Sequence, residues 1–185
     1  MIEKKRNTND AKHTVASASG RQSARAQHLA DMRVLQLGKF YPLRGGVEKV
    51  MYSLMEGLSA RELRCDMLCA SETGSRLREN LNPWATLMCS PSWGKLNGTM
   101  MSPRMISAMR RIASTYDIVH VHHPDPMAAL SLWLSGFKGR VVLHWHSDIV
   151  KQHRMLQAYK PLQRWLLRRA DVIVCTTEPY MRGSE

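Results

Sequence analysis

Residues 33–58 read RVLQLGKFYPLRGGVEKVMYSLMEGL. The opening RVLQLG is a short apolar run suited to a buried strand. From Val47 onward, Val47, Val50, Met51, Leu54, Met55 and Leu58 fall at the i, i+3, i+4, i+7 spacing of one helix face. A strand followed by a helix, with Gly45 and Gly46 at the junction, is a βα unit, and the same alternation continues downstream. RCDMLCA (64–70) and ATLMCS (85–90) predict two further strands, joined by a polar stretch in which a short helix is expected around 75–81. After a loop bearing Gly, Ser and Pro, RMISAMRRIAS (104–114) has the pattern of a basic amphipathic helix. DIVHVHH (117–123), RVVLHWH (140–146) and DVIVCTT (171–177) predict strands, and PMAALSLWLSG (126–136) predicts a helix. Pro161 predicts one helix ending near Tyr159 and another starting with Pro161 in its first turn.

Strands that are apolar on both faces and alternate with helices belong to a parallel sheet covered on each side. The expected fold class is therefore α/β, a Rossmann-like doubly wound parallel sheet. The length of 185 residues suits one domain with a substantial core. Residues 1–31 hold almost no large apolar side chains, so they are expected to be a disordered basic extension ahead of a domain spanning 32–185. Met32 would then be a natural start, the other reading being a basic tail that touches membrane or nucleic acid.

With 27 Lys and Arg against 15 Asp and Glu, the formal net charge is +12, and the surface should attract phosphate on nucleotides, lipid headgroups or nucleic acid. Nucleic acid is the unlikely partner, since no reading motif or interleaved aromatic platform accompanies the charge. The region 151–171 mixes basic side chains with Met155, Leu156, Trp165, Leu166 and Leu167, a pattern shared by helices on anionic membranes and by core-packed helices with a solvated basic face. No apolar run approaches a membrane span, and the N-terminus lacks a signal-peptide core. Cys65, Cys69, Cys89 and Cys175 form no C-x-x-C pair and fit reduced core thiols. A cytoplasmic location is expected, with peripheral association at the inner face of a membrane as an option.

In an open parallel sheet, ligands bind beyond the carboxyl ends of the strands where strand order reverses. Gly45 and Gly46 stand there, ahead of a helix whose free N–H groups and dipole favour an anion, although a tight turn accounts for them nearly as well. Their spacing fits neither G-x-G-x-x-G nor a P-loop. His120 and His122 share one strand face, and His144 and His146 another. Zinc is one reading of so many imidazoles. The plainer one makes His120 and His144 hydrogen-bonded residues within the sheet, with His122, His123 and His146 exposed at the rim. There His146, beside Ser147 and Asp148, would suit a polyhydroxylated ligand. Three consecutive residues, HSD, cannot form a nucleophile relay, and no G-x-S-x-G elbow is present, which disfavours hydrolase chemistry.

Taken in order, RVLQLGKFYPLRGGVEKVMYSLMEGLSARELRCDMLCA, YDIVHVHHPDPMAALSLWL, VVLHWHSDIVKQ and KPLQRWLLRRADVIVCTTEPY resemble the N-terminal domain of family 4 glycosyltransferases, the retaining group with the GT-B fold. The resemblance covers 32–185. It implies a two-domain, metal-independent enzyme that moves a sugar from a nucleotide-sugar donor to a glycan or lipid-linked acceptor. The N-terminal domain would bind the acceptor and face the active-site cleft. By this likeness His146 is the catalytic-site histidine facing the reacting sugar, and Gly45 and Gly46 belong to the loop that approaches the donor phosphates. His123, Ser147 and Asp148 complete the expected substrate-binding set. No cofactor is implied, the nucleotide sugar being a substrate.

Family members hold the nucleotide in a second Rossmann-like domain carrying a Glu-x7-Glu pair. This chain stops at Glu185, where the last strand has just ended, and Glu48 and Glu56 match that spacing only by coincidence on the first helix. The expectation is an acceptor-binding half that transfers little or nothing by itself. The alternative is a non-catalytic module that binds membrane or protein through its basic helices.

Overall fold

Seven strands lie side by side in the computed structural model, which describes residues 27, 31–96, 98–147 and 153–175. They are β1 (Arg33–Tyr41), β2 (Arg64–Ser71), β3 (Leu77–Asn82), β4 (Ala85–Pro91), β7 (Ile118–His123), β8 (Arg140–Trp145) and β9 (Val172–Cys175), in the order β3-β4-β2-β1-β7-β8-β9. Every pairing is parallel except β3 with β4. A small antiparallel hairpin, β5 (Lys95–Leu96) with β6 (Thr99–Met100), forms a separate two-stranded ladder whose Met100 packs with Phe40 and Ala70 of the main sheet. The chain travels outward from β1 through β2 to β4, then returns to lay β7, β8 and β9 on the other side of β1. Strand order thus reverses between β1 and β7, which is the Rossmann-like doubly wound arrangement.

The period of two along each strand divides the core into two layers. Val34, Cys65, Met67, Cys69, Ala85, Leu87 and Cys89 point to one face, where Met51 and Met55 of α1 (Gly46–Ser59) cover them. Leu35, Leu37, Leu68, Val119, Val121, Val141, Leu143 and Trp145 point to the other. That face is covered by α2 (Pro103–Ile112), α3 (Pro126–Ser135) and α4 (His153–Arg169). The four cysteines are free thiols; Cys69 and Cys89 sit on neighbouring strands with their sulfurs 3.6 Å apart.

Two local expectations are corrected. The stretch expected to be a short helix at 75–81 is the edge strand β3, paired antiparallel with β4. Leu77 and Leu81 pack against the α1-side cluster while Arg78, Glu79 and Asn80 are exposed. A spacing of four residues puts two side chains on one face of either a helix or a strand, so the available partner strand decides. The expected break at Pro161 is absent, and α4 runs through it. Pro161 lies on the exposed side, whereas Tyr159, Leu162, Trp165 and Leu166 pack into the main cluster. Burying several large side chains at roughly 1.5–3 kcal/mol each outweighs the roughly 3 kcal/mol cost of an interior proline.

The chain divides by its internal contacts into Met1–Asp31 and Met32–Glu185, and every element above belongs to the second unit. The expected basic extension lies almost wholly outside the described residues. Among the described residues, no helix is long and apolar enough to cross a membrane.

Candidate functional site

The carboxyl ends of β1 and β7 meet at the reversal of strand order, and the end of β1 is shaped to fit there. Gly38 has φ +133° and Lys39 φ +55°, breaking the register between Leu37 and Phe40. A Cβ on Gly38 would come 3.3 Å from both the Ala128 Cβ and an Asp125 carboxylate oxygen, so only glycine lets β1 pass this close to the start of α3. The Lys39 N–H donates to Asp125 Oδ2, while Asp125 Oδ1 accepts from the N–H groups of Met127 at 2.9 Å and Ala128 at 3.1 Å. Asp125 is thus the N-cap of α3 and the anchor of the β1 loop at once. Its burial raises the carboxyl pKa, against the pull of Lys39 and these N–H donors.

Four histidines line the α1-side face from β7 to the tip of β8. His120 and His144 are stacked at 5.4 Å and 7°, His144 and His146 at 4.0 Å and 16°, and His122 and His146 at 5.2 Å and 18°. His122 is fully buried and bonded at both nitrogens: Nδ1 lies 2.9 Å from His146 Nε2, and Nε2 lies 2.7 Å from Gln36 Oε1. Buried His120 Nε2 and His144 Nδ1 have no hydrogen-bond partner. The expected assignment is therefore reversed, with His122 as the bonded, buried member and His120 and His144 held by stacking. Desolvation, then the neighbouring His144 imidazole, lowers the pKa of His120 to about 4. The same two effects, with Lys39 added, lower His146 to about 4. His122 is held well below its ordinary value, and burial lowers His144 too. At neutral pH the stack is uncharged.

One ligand atom from each of His120, His122 and His144 falls within 4.8 Å of the others, the metal-like grouping among the described residues. Both nitrogens of His122 are already committed to hydrogen bonds, Nδ1 with His146 and Nε2 with Gln36. Coordination through His122 would require breaking its Gln36 or its His146 contact.

The structure brings together some of the expected residues and separates others. His146 and Ser147 follow directly on β8 at the carboxyl rim, both half-buried. Asp148 lies outside the described residues. His123 points to the opposite face of β7 from His122 and is fully buried, stacked on Trp145 at 3.8 Å and near Gln163, whose Nε2 is 3.3 Å from His123 Nε2. Its carbonyl accepts from the His146 N–H at 3.2 Å, but its side chain packs on the face of the sheet opposite the His146 ring. Gly45 and Gly46 differ from each other. A Cβ on Gly45 would meet the Glu48 carboxylate at 2.4 Å, while nothing lies within 4 Å of the same position on Gly46. Gly45 makes room for the buried Glu48 of its own helix, and Gly46 leaves open space at the helix start.

Gln36, Lys39 and Asp125 escaped the sequence reading. A lone glutamine inside an apolar strand was the visible sign of the first, and Asp ahead of Pro126 at a helix start the sign of the last. A cavity of about 300 Å³ between α2 and the β3–β4 hairpin, rimmed by Arg76, Arg78 and Arg111, includes none of the expected site residues.

The sequence profile described as Glycosyltransferase Family 4 matches residues 44–182. The chain belongs to glycosyltransferase family 4. This family 4 domain is 31% identical to the O-antigen chain mannosyltransferase C of Escherichia coli, a match covering 83% of this chain and 42% of that protein. It is 28% identical to the D-rhamnosyltransferase WbpZ of Pseudomonas aeruginosa, over 83% of this chain and 41% of the relative. The chain therefore spans less than half the length of these curated relatives. Sucrose-phosphate synthase from Thermosynechococcus elongatus has a similar fold, with a TM-score of 0.56 at 13% identity, covering 82% of this chain and 45% of that one. The architecture is that of the N-terminal Rossmann-like domain of a GT-B glycosyltransferase.

Proposed function

We propose that this family 4 domain forms the acceptor-side wall of a sugar-transfer site. A sugar would leave a nucleotide diphosphate for a hydroxyl of a glycan or lipid-linked acceptor, with its anomeric configuration retained. One observation carries the reading beyond family membership: His146, an uncharged imidazole held by His122, stands at the carboxyl end of β8 on the rim beside the reversal of strand order. In the transfer, the bond from the anomeric carbon to the phosphate oxygen breaks and one to the acceptor oxygen forms. The acceptor's proton passes to a phosphate oxygen. A neutral imidazole can accept a hydrogen bond from a hydroxyl of the reacting sugars, which an imidazolium cannot. The open start of α1 at Gly46 is where phosphate would approach N–H groups and the positive end of the helix dipole.

The reading assigns the nucleotide to a second Rossmann-like domain and gives little transfer to these 185 residues by themselves, because most stabilisation of the leaving diphosphate would come from that domain. It needs no resident metal or cofactor. Basic helices and the exposed Trp133, whose ring lies 6.3 Å from that of Trp165, support a peripheral position on an anionic cytoplasmic membrane face.

The test joins the chain to a family 4 donor-binding domain and measures sugar transfer with and without His146→Ala. The expected result is transfer that drops roughly a hundredfold on substitution. Undiminished transfer by the variant would remove His146 from the site. If no donor domain confers transfer and the chain instead binds anionic liposomes in a salt-sensitive way, the non-catalytic module takes its place.

A further inference from the structure

Gln36 is a primary amide between Leu35 and Leu37, without solvent exposure. A buried amide is costly unless its polar atoms are bonded, and Gln36 uses both ends. Its Nε2 donates to the Cys65 sulfur at 3.6 Å, and its Oε1 lies 2.7 Å from His122 Nε2. An amide oxygen only accepts, so the hydrogen of this contact belongs to His122 Nε2. His122 is neutral, because burial and then the surrounding imidazoles and Lys39 disfavour its charged form. A neutral imidazole carries one N–H, which leaves a lone pair on His122 Nδ1. That nitrogen lies 2.9 Å from His146 Nε2, which must therefore be the donor. His146 is held neutral by the same effects, so its remaining nitrogen, Nδ1, bears a lone pair and meets no hydrogen-bond partner among the described residues.

We propose that Gln36 and His122 are positioning residues that lock His146 in the Nε2–H tautomer, so that the ring offers its ligand an acceptor, the Nδ1 lone pair. The inference rests on the reading of His146 as the group facing the reacting sugars, and it sharpens that reading into a choice of ligand. A lone pair attracts the hydrogen of a hydroxyl and repels a phosphate oxygen, so the partner of His146 is a sugar or acceptor hydroxyl and not the diphosphate. Had the glutamine amide faced the other way, the chain of donors would reverse and His146 would present Nδ1–H, a phosphate or carbonyl ligand. A buried residue with no contact to the ligand thus sets which kind of oxygen the site accepts.

The experiment is long-range ¹H–¹⁵N correlation of the histidine rings in the ¹⁵N-labelled 185-residue chain at neutral pH, with His146→Asn and His122→Asn used to assign signals. The expected spectrum has a protonated Nε2 and an unprotonated Nδ1 for both His122 and His146. Gln36→Leu, which removes the acceptor, should convert both rings to tautomer mixtures. A protonated His146 Nδ1 in the unsubstituted chain overturns the proposal, as does a folded Gln36→Leu variant with both tautomers unchanged. Should Gln36→Leu fail to fold, the unsubstituted spectrum still decides. These signals do not depend on sugar transfer. Loss of the His146 role in transfer would overturn the functional reading with the tautomer intact, whereas a wrong tautomer would overturn only this inference.

Discussion

Gly45 and Gly46 are adjacent in sequence and do different things. A side chain on Gly45 would run into the carboxylate of Glu48, which is buried in the first turn of α1. Gly46 has nothing of the protein within reach of an added Cβ, so no internal packing explains its lack of a side chain. Gly46→Ala should therefore leave the thermal midpoint unchanged or slightly higher, since alanine favours helix over glycine by up to about 1 kcal/mol. The same methyl would stand where a phosphate approaches the helix start, so transfer by the chain joined to a donor domain should fall. Full transfer by a folded Gly46→Ala protein would mean that no phosphate comes close there. The sequence showed both glycines and the alternate histidines, but not which glycine was already used by a neighbour, because that depends on where the Glu48 side chain folds.

At the level of elements, most of the strands and helices were legible because the 2-residue and 3.6-residue periods of apolar side chains follow directly from backbone geometry. The errors fell where two structures share a period or where packing outweighs a local preference. Pro161 is the clearer case. It contributes no N–H to the ladder of α4, yet the helix continues because Tyr159 and Leu166 are buried on either side of it. Pro161→Ala should restore the missing hydrogen bond on the exposed side and stabilise the chain by about 1–3 kcal/mol, read as a higher midpoint in urea or heat. A lower midpoint would show that the restriction proline places on the unfolded chain is worth more than that hydrogen bond.

Across the whole molecule, the histidine stack ties stability to pH. His120 and His146 have folded-state pKa values near 4 against an ordinary 6.5, and His122 and His144 are shifted the same way. The unfolded chain then binds protons that the folded chain refuses, so stability is highest above about pH 6.5 and declines as pH falls toward 4. Below the folded values this loss levels off. For His120, which is mostly buried, it amounts to something on the order of 3 kcal/mol. Thermal midpoints measured from pH 7 to 4 should drop, and His120→Leu should flatten the curve. Identical pH dependence in the two proteins would show that His120 titrates normally. The stack exists because β7 and β8 pair in a register that sets His122 beside His144 and carries His120 and His146 onto the same face.

The sequence by itself determined the α/β class, the order of most elements and the family, since each follows from patterns of neighbouring residues or from motifs in linear order. It also placed His146 at a strand end. Tertiary structure decided what surrounds that histidine: that His123 lies on the buried face against Trp145, that Lys39 ties to Asp125, and that Gln36, 86 positions before His122, meets it across β1 and β7. Strand pairing at long sequence separation creates these contacts. A hydrogen bond's direction and a buried group's proton affinity depend on which atoms that pairing brings within 3 Å or so, and no local pattern in the chain encodes it.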